Sequence, residues 1–135
     1  MTRIHQGIDL VEISRFREIL ERNSQFIQDI FTEQEKSYCL SMKEPYRHLA
    51  GRFAAKESYL KALGTGLSGS GIDHILKEIE IVPMGSGKPQ ISVSGWAEKV
   101  TMRKKIRQCS VSISHTANYA VATVILAEDD EGRHA

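Results

Sequence analysis

Long apolar runs are missing from this sequence of 135 residues, and cysteines are few. No segment approaches the roughly eighteen apolar residues of a membrane span, and the opening MTRIHQGIDL lacks the long apolar stretch of a secretory signal. We therefore predict a cytoplasmic protein with no membrane partner. Cys39 and Cys109 lie far apart and among apolar neighbours, so we interpret both as core residues rather than as metal or redox groups.

An excess of charge of one sign is also missing, and aromatic residues are scarce. The formal net charge is +1 and aromatic residues make up 7% of the chain, which argues against an RNA-binding surface built on base stacking. The sequence contains none of the motifs GxxxxGK[ST], GxSxG and HExxH, and its GxGxxG match at residues 64–69 follows a helical pattern rather than the strand that a dinucleotide-binding turn requires. Hydrolase and dinucleotide-binding hypotheses therefore lose support.

The remaining pattern is typical of one α+β domain. Hydrophobic residues at 41% and charged residues at 26% are near the averages for globular proteins of this size. Residues 4–10 predict a strand, ISRFREILER a helix, and the second half alternates through EIEIV, QISVS, CSVSIS and YAVATVIL. We predict a mainly antiparallel sheet with helices on one face over residues 1–127, followed by a polar tail over residues 128–135.

Helix boundaries are marked by specific residues. Thr32 and Glu35 have the spacing of a capping box, which predicts a helix running to about residue 42. Pro45 begins a longer helix that ends at residue 63, where Gly64 can adopt the left-handed conformation of a helix end. TGLSGSGID follows as a mobile or ligand-facing loop, and a last helix with the basic cluster RKKIR is predicted over residues 95–108.

Three charged residues in the first half are candidates for chemistry. Asp9 lies within an apolar strand, where a carboxylate needs either a cationic partner such as Arg15, a helix N-terminus or a metal ion. Glu57 and Lys61 share one face of the long helix because they are four residues apart. By itself that pair is typical of a solvated ion pair with no function.

The second half offers a histidine and a glycine-rich turn. His115 and Thr116 follow the alternating residues of SVSIS, at a strand end where sites are often built, although a histidine at a turn is more often structural. The turn GSGKP presents free amides and one lysine to a phosphate, but Gly-Lys-Pro is also simply a good hairpin turn. From these residues alone, a binding function and a structural function both stay open.

Taken together, four segments resemble the holo-acyl-carrier-protein synthases. GIDLVEISRF and GRFAAKESYLKALGTG closely resemble the two signature motifs of that family, and GKP and VSISHTANYAVATV resemble further family elements in the same order. The resemblance spans roughly residues 4 to 126. It implies the 4′-phosphopantetheinyl transferase fold, a homotrimer with active sites between subunits, and coenzyme A and acyl carrier protein as substrates in fatty acid biosynthesis.

The resemblance also implies roles for individual residues. Asp9 and Glu57 match the family's Mg²⁺ ligands, and with Lys61 and His115 they form the implied catalytic set. The residues that match coenzyme-contacting positions are Arg52, Lys61, Gly66, Lys88, Pro89, His115 and Thr116. The implied contacts to acyl carrier protein are Arg15 and Arg22. Two carboxylates suit magnesium, which accepts oxygen ligands and completes its shell with water and substrate phosphates.

Other interpretations remain at this stage. A coenzyme-binding module without catalysis would need the phosphate contacts but not two acidic metal ligands, so Asp9 and Glu57 favour the enzyme. The basic cluster RKKIR is interpreted as a solvated helix face, with carrier docking or nucleic-acid binding as alternatives. The segment KKIRQCS and the loop GSGID depart from the family pattern, so the rim of the coenzyme pocket can differ from that of other family members.

Overall fold

The structure, a computed structural model, describes residues 2–64 and 72–129. Gly66 therefore lies outside the described residues, as do residues 130–135 of the predicted tail. In the described part of the chain, no helix has the length and apolar character that crossing a membrane requires. The elements in chain order are β1 (Thr2–Glu12), α1 (Ile13–Arg22), α2 (Ser24–Ile30), α3 (Glu33–Leu40), α4 (Pro45–Leu63), α5 (Ile72–Lys77), β2 (Ile79–Pro83), β3 (Pro89–Val93), α6 (Gly95–Arg103), β4 (Ile106–His115) and β5 (Tyr119–Asp129).

Three long strands form the main sheet. They pair antiparallel in the order β1-β5-β4, while β2 and β3 form a separate antiparallel hairpin. Alternate residues point to opposite faces of the sheet. The inner face is buried in the core, whereas the outer face exposes apolar side chains, with Ile4 at 62%, Ile8 at 57% and Leu10 at 64%. The predicted α+β class with an antiparallel sheet is confirmed.

Helix α4 packs against the inner face of the sheet, and a glycine allows it to come close. A Cβ atom at Gly7 would lie only 1.9 Å from the carbonyl oxygen of Ser58. The Ser58 hydroxyl donates to the carbonyl oxygen of Ala54 at 2.7 Å within the helix and lies 2.9 Å from that of Ala122 on β5. The axis of α4 is therefore held against β1 and β5 by backbone contact.

The predicted limits of α4 and the predicted start of α3 are confirmed, whereas α3 ends at Leu40 and not at about residue 42. Pro45 occupies the first turn of α4, and Gly64 ends it with φ of 73°, the left-handed conformation in which glycine is unstrained. At the start of α3, the Thr32 hydroxyl accepts from the amide of Glu35, and the Glu35 carboxylate accepts from the amide of Thr32. This reciprocal pair is the capping box that the sequence predicts.

A buried ion pair joins α3 to α4. The side chains of Lys56 and Glu35 are both 0% exposed, with Nζ and Oε1 2.8 Å apart. Lys56 also donates to the carbonyl oxygens of Leu76 at 2.6 Å and Ile79 at 2.7 Å, while Glu35 accepts from the amide of Ile81 at 2.8 Å. Burial lowers the pKa of Lys56, and the Glu35 carboxylate opposes that shift. The pair thus connects α3, α4, α5 and β2.

Several predicted boundaries differ from the structure. Strand β1 extends beyond residues 4–10 at both ends, β5 continues to Asp129, and two short helices, α2 and α5, were not predicted. The last helix ends at Arg103 instead of continuing to residue 108, because the chain reverses through Lys105, whose φ is 61°, and enters β4. The basic cluster therefore divides between a helix end, a turn and a strand.

The two cysteines have different environments. Cys39 is buried in the core as predicted, but Cys109 lies on an exposed part of β4, so its assignment to the core was wrong. The register of β4 shifts between Ile106 and Gln108, immediately before this residue. Neighbouring groups nevertheless desolvate the thiol in part, and this raises the pKa of Cys109 to about 11. A thiol with so high a pKa is a poor nucleophile at neutral pH.

Candidate active site

The first candidate residue, Asp9, lies on the inner face of edge strand β1. Its carboxylate Oδ1 is 3.0 Å from the Nζ of Lys61 on α4, and the same Nζ donates to the carbonyl oxygen of Ile8 at 3.0 Å. Lys61, and not Arg15, is therefore the cationic partner of Asp9. The contact depends on α4 lying directly on β1, since Lys61 follows the part of the helix that covers Gly7.

Glu57 lies one helical turn before Lys61, and it does not form the ion pair that its spacing suggested. Lys61 instead reaches across to β1. Burial raises the pKa of Glu57, the charge of Asp9 raises it further, and the charge of Lys61 partly opposes both effects. The two carboxylates thus interact with each other and with a single lysine, which leaves negative charge in excess at this point.

An open cleft of about 270 Å³ connects these residues to helix α1. Its lining includes the carboxylates of Asp9, Glu12 and Glu57, the guanidinium of Arg15, and apolar side chains of α1 and α4. In the described ranges, no three His, Cys, Asp or Glu side chains are grouped as a complete metal cage. The donor chemistry still fits magnesium, because this ion binds to one or two carboxylates and takes its remaining ligands from water and phosphates.

A second groove, of about 470 Å³, continues along α1 from the same point. Arg15 and Arg22 are both exposed and line it together with two carboxylates, Glu12 and Glu18, and the apolar side chain of Ile19. Glu12, Arg15 and Ile19 line both the groove and the cleft beside Asp9 and Glu57. The face predicted to meet a carrier protein is therefore continuous with the candidate active site.

His115 and Thr116 lie at the other edge of the sheet. His115 ends β4 opposite Ala120, and the Thr116 hydroxyl accepts from the amides of Asn118 at 3.2 Å and Tyr119 at 3.0 Å in the turn to β5. Thr116 thus shapes the turn while its hydroxyl hydrogen stays able to donate. Because β5 separates β1 from β4, His115 is at least about 10 Å from Asp9 across the sheet.

Arg52 lies on the side of α4 that contacts α3 and is only 6% exposed. Its guanidinium stacks on the ring of Tyr38, 4.5 Å from the centroid, and the Nε atom has no hydrogen-bond partner. No carboxylate among residues 2–64 and 72–129 forms an ion pair with it.

The predicted coenzyme contacts Lys88 and Pro89 belong to the β2–β3 hairpin. Gly87, with φ of 88°, closes the turn, and the Met84 amide donates to the Lys88 carbonyl oxygen at 2.9 Å. Lys88 and Pro89 line a cleft of about 310 Å³ beside Cys109 on β4. Within one chain, the residues predicted for a single coenzyme therefore fall into three places.

Comparison with known proteins decides the family. The sequence model of the 4′-phosphopantetheinyl transferase superfamily matches residues 6–124. The holo-[acyl-carrier-protein] synthase of Gloeobacter violaceus is 46% identical over 127 residues, which cover 91% of this chain and 92% of that protein. The synthase of Caldanaerobacter subterraneus is 40% identical over 122 residues, or 90% and 93% of the two chains. This chain belongs to the holo-[acyl-carrier-protein] synthase family.

Solved structures of synthases in this family have the same fold. The ACPS–CoA complex of Chronobacterium ammoniagenes superposes with a TM-score of 0.83 at 28% identity, covering 94% of this chain and 98% of that one. The Bacillus anthracis holo-(acyl-carrier-protein) synthase in complex with CoA (3′,5′-ADP) gives a TM-score of 0.75 at 32% identity, covering 96% and 100%. The chain is therefore a phosphopantetheinyl transferase, and structural neighbours bind coenzyme A.

Two residues of this synthase that matter to the site were not singled out from the sequence. Lys56 precedes Glu57 and fixes α4 through its buried pair, and His48 lies near His115 with ring centroids 6.3 Å apart. A lysine next to two alanines on an otherwise apolar helix face was a signal for burial. His48 had no comparable signal, because its neighbour is more than sixty residues away in sequence.

Proposed function

We propose that this enzyme transfers 4′-phosphopantetheine from coenzyme A to a serine of apo acyl carrier protein, with magnesium held by Asp9 and Glu57, in support of fatty acid biosynthesis. The observation that supports this most is that Asp9 and Glu57 line one cleft together with Arg15, while Lys61 forms an ion pair with Asp9. A cytoplasmic location belongs to the same proposal.

The reaction joins the serine oxygen to the β-phosphorus of coenzyme A and breaks the bond from that phosphorus to adenosine 3′,5′-bisphosphate. When bound, magnesium would neutralise negative charge on the pyrophosphate and on the departing nucleotide. Lys61 supplies a positive charge beside Asp9 and orients its carboxylate through their 3.0 Å contact. The serine proton passes to Glu57 or to a water in the cleft.

A transfer assay tests the proposal as a whole. Acyl carrier protein is incubated with the enzyme, coenzyme A and magnesium, and its mass is then measured. A phosphopantetheine increment on the serine, lost when magnesium is chelated, is the expected result. If the mass of the carrier protein stays unchanged while the protein still binds coenzyme A, the chain is a coenzyme-binding module and not a transferase.

Lys61→Met is expected to lower turnover by about a hundredfold, because it removes one preorganised positive charge near the transferred phosphate. The side chain of Lys61 is 53% exposed, so loss of its pair with Asp9 should change the free energy of unfolding by less than about 1 kcal/mol. Steady-state kinetics and a thermal melt measure the two effects separately. Lys99→Met, on the exposed surface of α6, is the matched control. Normal turnover in a normally folded Lys61 variant would remove this residue from the catalytic set.

We further propose that the active enzyme is a homotrimer in which two subunits build each site. The outer face of the sheet supports this, because it exposes Ile4, Ile8, Leu10 and Ile125 and nothing among the described residues covers it. The separation of Asp9 from His115 and Lys88 supports it too, since coenzyme contacts on one subunit can complete the cleft of its neighbour.

Light scattering tests this assembly. The native chain should give three times 15.2 kDa, whereas Leu10→Glu should give a smaller species, because it places a charge in the middle of the outer face. Met102→Glu is the matched control, since Met102 is 70% exposed on α6 and far from the outer face. A monomeric native chain with full transfer activity would contradict the trimer.

Docking of acyl carrier protein is proposed at the α1 groove. Arg15 and Arg22 are exposed on one face of the helix, and Arg15 also borders the cleft where the serine must arrive. Carrier proteins of this class are acidic, so the attraction is electrostatic and weakens as salt is added. Glu12 and Glu18 line the same groove and would repel acidic side chains of the carrier protein that lie opposite them.

A further inference from the structure

The starting observation is a buried positive charge without a counterion. Arg52 is 6% exposed, its Nε has no partner, and within the described ranges no carboxylate pairs with it. Tyr38 lies under the guanidinium at 4.5 Å but has no negative charge to offer. Leaving a charge buried and unpaired is unfavourable, and an anionic ligand removes that penalty.

His48 belongs to the same cluster. It precedes Arg52 by one helical turn, and its ring lies 6.4 Å from that of Tyr38 and 6.3 Å from that of His115, all as edge contacts. Tyr38, His48, Arg52 and His115, here called the α4–β4 cluster, thus come from α3, α4 and β4. His48 is half-buried, so a ligand at the cluster can reach its ring.

The charges that face His48 are mostly positive. Burial lowers its pKa first, followed by the charges of Arg52, His115 and Arg47, and only Glu44 acts in the opposite direction. Glu44 is itself held by Arg47 at 2.7 Å, and Tyr38 is the remaining ionisable group beside the ring. The surroundings of His48 therefore favour the neutral imidazole while the cluster holds no anion.

We propose that His48 is a proton-linked phosphate ligand, which binds a phosphate group of coenzyme A beside Arg52 and His115 and takes up a proton as it does so. This inference rests on the proposed function, because it names a further coenzyme contact in that reaction. A phosphate reverses the sign of the local field, which favours the charged imidazole, and accepts a hydrogen bond from one of its ring N–H groups.

The sign of the pH dependence follows from this linkage. The pKa of His48 is low in the free enzyme and higher once a phosphate is bound, so binding takes up a proton. Affinity is greatest below the pKa of the free state and is lost as pH rises through the pKa of the bound state. Histidine titrations of this kind fall within the range of about pH 5 to 8.

Calorimetry with adenosine 3′,5′-bisphosphate as the probe tests the inference. Native enzyme and His48→Phe are compared at pH 6 and pH 8.5, since phenylalanine keeps the edge contact with Tyr38 but cannot bind a proton. At pH 6 the variant should bind about fivefold more weakly than the native enzyme, and at pH 8.5 the two should agree within about twofold. Titration of the probe is common to both proteins and cancels in the comparison.

Two further measurements complete the test. Heats measured in buffers of different ionisation enthalpy should show that the native enzyme takes up more protons than His48→Phe, and His48→Gln should behave like His48→Phe. Repeating the comparison with coenzyme A and with 3′-dephospho-coenzyme A identifies which phosphate His48 binds. If the difference in affinity between native enzyme and His48→Phe vanishes with 3′-dephospho-coenzyme A, His48 binds the 3′-phosphate. If the difference persists, His48 binds the pyrophosphate.

Equal affinities and equal proton uptake in native enzyme and variants, at both pH values, would overturn the inference. If the affinities and proton uptake are equal and the native enzyme still transfers phosphopantetheine normally, only the proposed role of His48 is wrong. If native enzyme neither binds the probe nor modifies the carrier protein, the proposed function itself is wrong. Thermal melts of both variants verify that they are folded.

Discussion

Asp9→Asn is expected to lower phosphopantetheine transfer by about a thousandfold at saturating substrate while the fold stays intact. The substitution removes one of the two carboxylates that would hold magnesium, while the Asn side chain keeps an oxygen that can accept from Lys61. Its stability cost is small because the lost contact is an ion pair with a half-exposed lysine. The pKa of Glu57 should also fall towards its ordinary value, since the charge of Asp9 helps to raise it.

Two measurements check this result. Transfer rates are followed by the mass of the carrier protein across a magnesium titration, and binding of Mn²⁺, a spectroscopic substitute, is followed by electron paramagnetic resonance. Glu12→Gln is the matched control, because it neutralises another carboxylate that lines the same cleft. If Asp9→Asn retained metal-dependent transfer, or if both variants bound Mn²⁺ equally, the assignment of Asp9 as a metal ligand would be wrong.

Lys56→Leu is expected to destabilise the protein by about 3–5 kcal/mol, the usual cost of removing one partner of a buried ion pair. Glu35 would remain fully buried with an uncompensated charge, and the carbonyl oxygens of Leu76 and Ile79 would lose their donor. Because the pair joins four elements around α4, the loss should affect the whole domain rather than one helix end.

Denaturant titration measures this effect, with Lys99→Leu on exposed α6 as the control for removing a lysine charge. The double variant Lys56→Leu, Glu35→Gln should recover part of the stability, since it removes the unpaired negative charge. A loss below about 1 kcal/mol in Lys56→Leu, in the range of a surface pair, would mean that water or another group compensates Glu35.

Local features of the fold were predictable because they depend on neighbouring residues. Pro45 and Gly64 mark the ends of α4 by backbone geometry, and the capping box of α3 needs only Thr32 and Glu35. The end of α6 was not predictable in the same way, because basic residues are compatible with a helix and nothing in RKKIR announces the positive φ of Lys105.

The site was predictable in its residues but not in its geometry. The two motifs identified Asp9, Glu57 and Lys61 as candidates. Helical spacing suggested Glu57 as the partner of Lys61, but the partner is Asp9, which lies 52 residues away on another element. His115 was predicted in the same catalytic set as Asp9, and the strands that carry these two residues occupy opposite edges of the sheet. Strand order depends on pairings between distant segments, which no local pattern specifies.

Gly7 has a consequence for the enzyme as well as for its packing. Any side chain at this position would meet the carbonyl oxygen of Ser58 and push α4 away from β1. Glu57 and Lys61 would move with the helix, whereas Asp9 would stay on the strand. The lack of a side chain at Gly7 thus sets the distance between Asp9 on β1 and the residues Glu57 and Lys61 on α4. Substitutions at position 7 should therefore impair the geometry of the proposed active site as well as the stability of the fold.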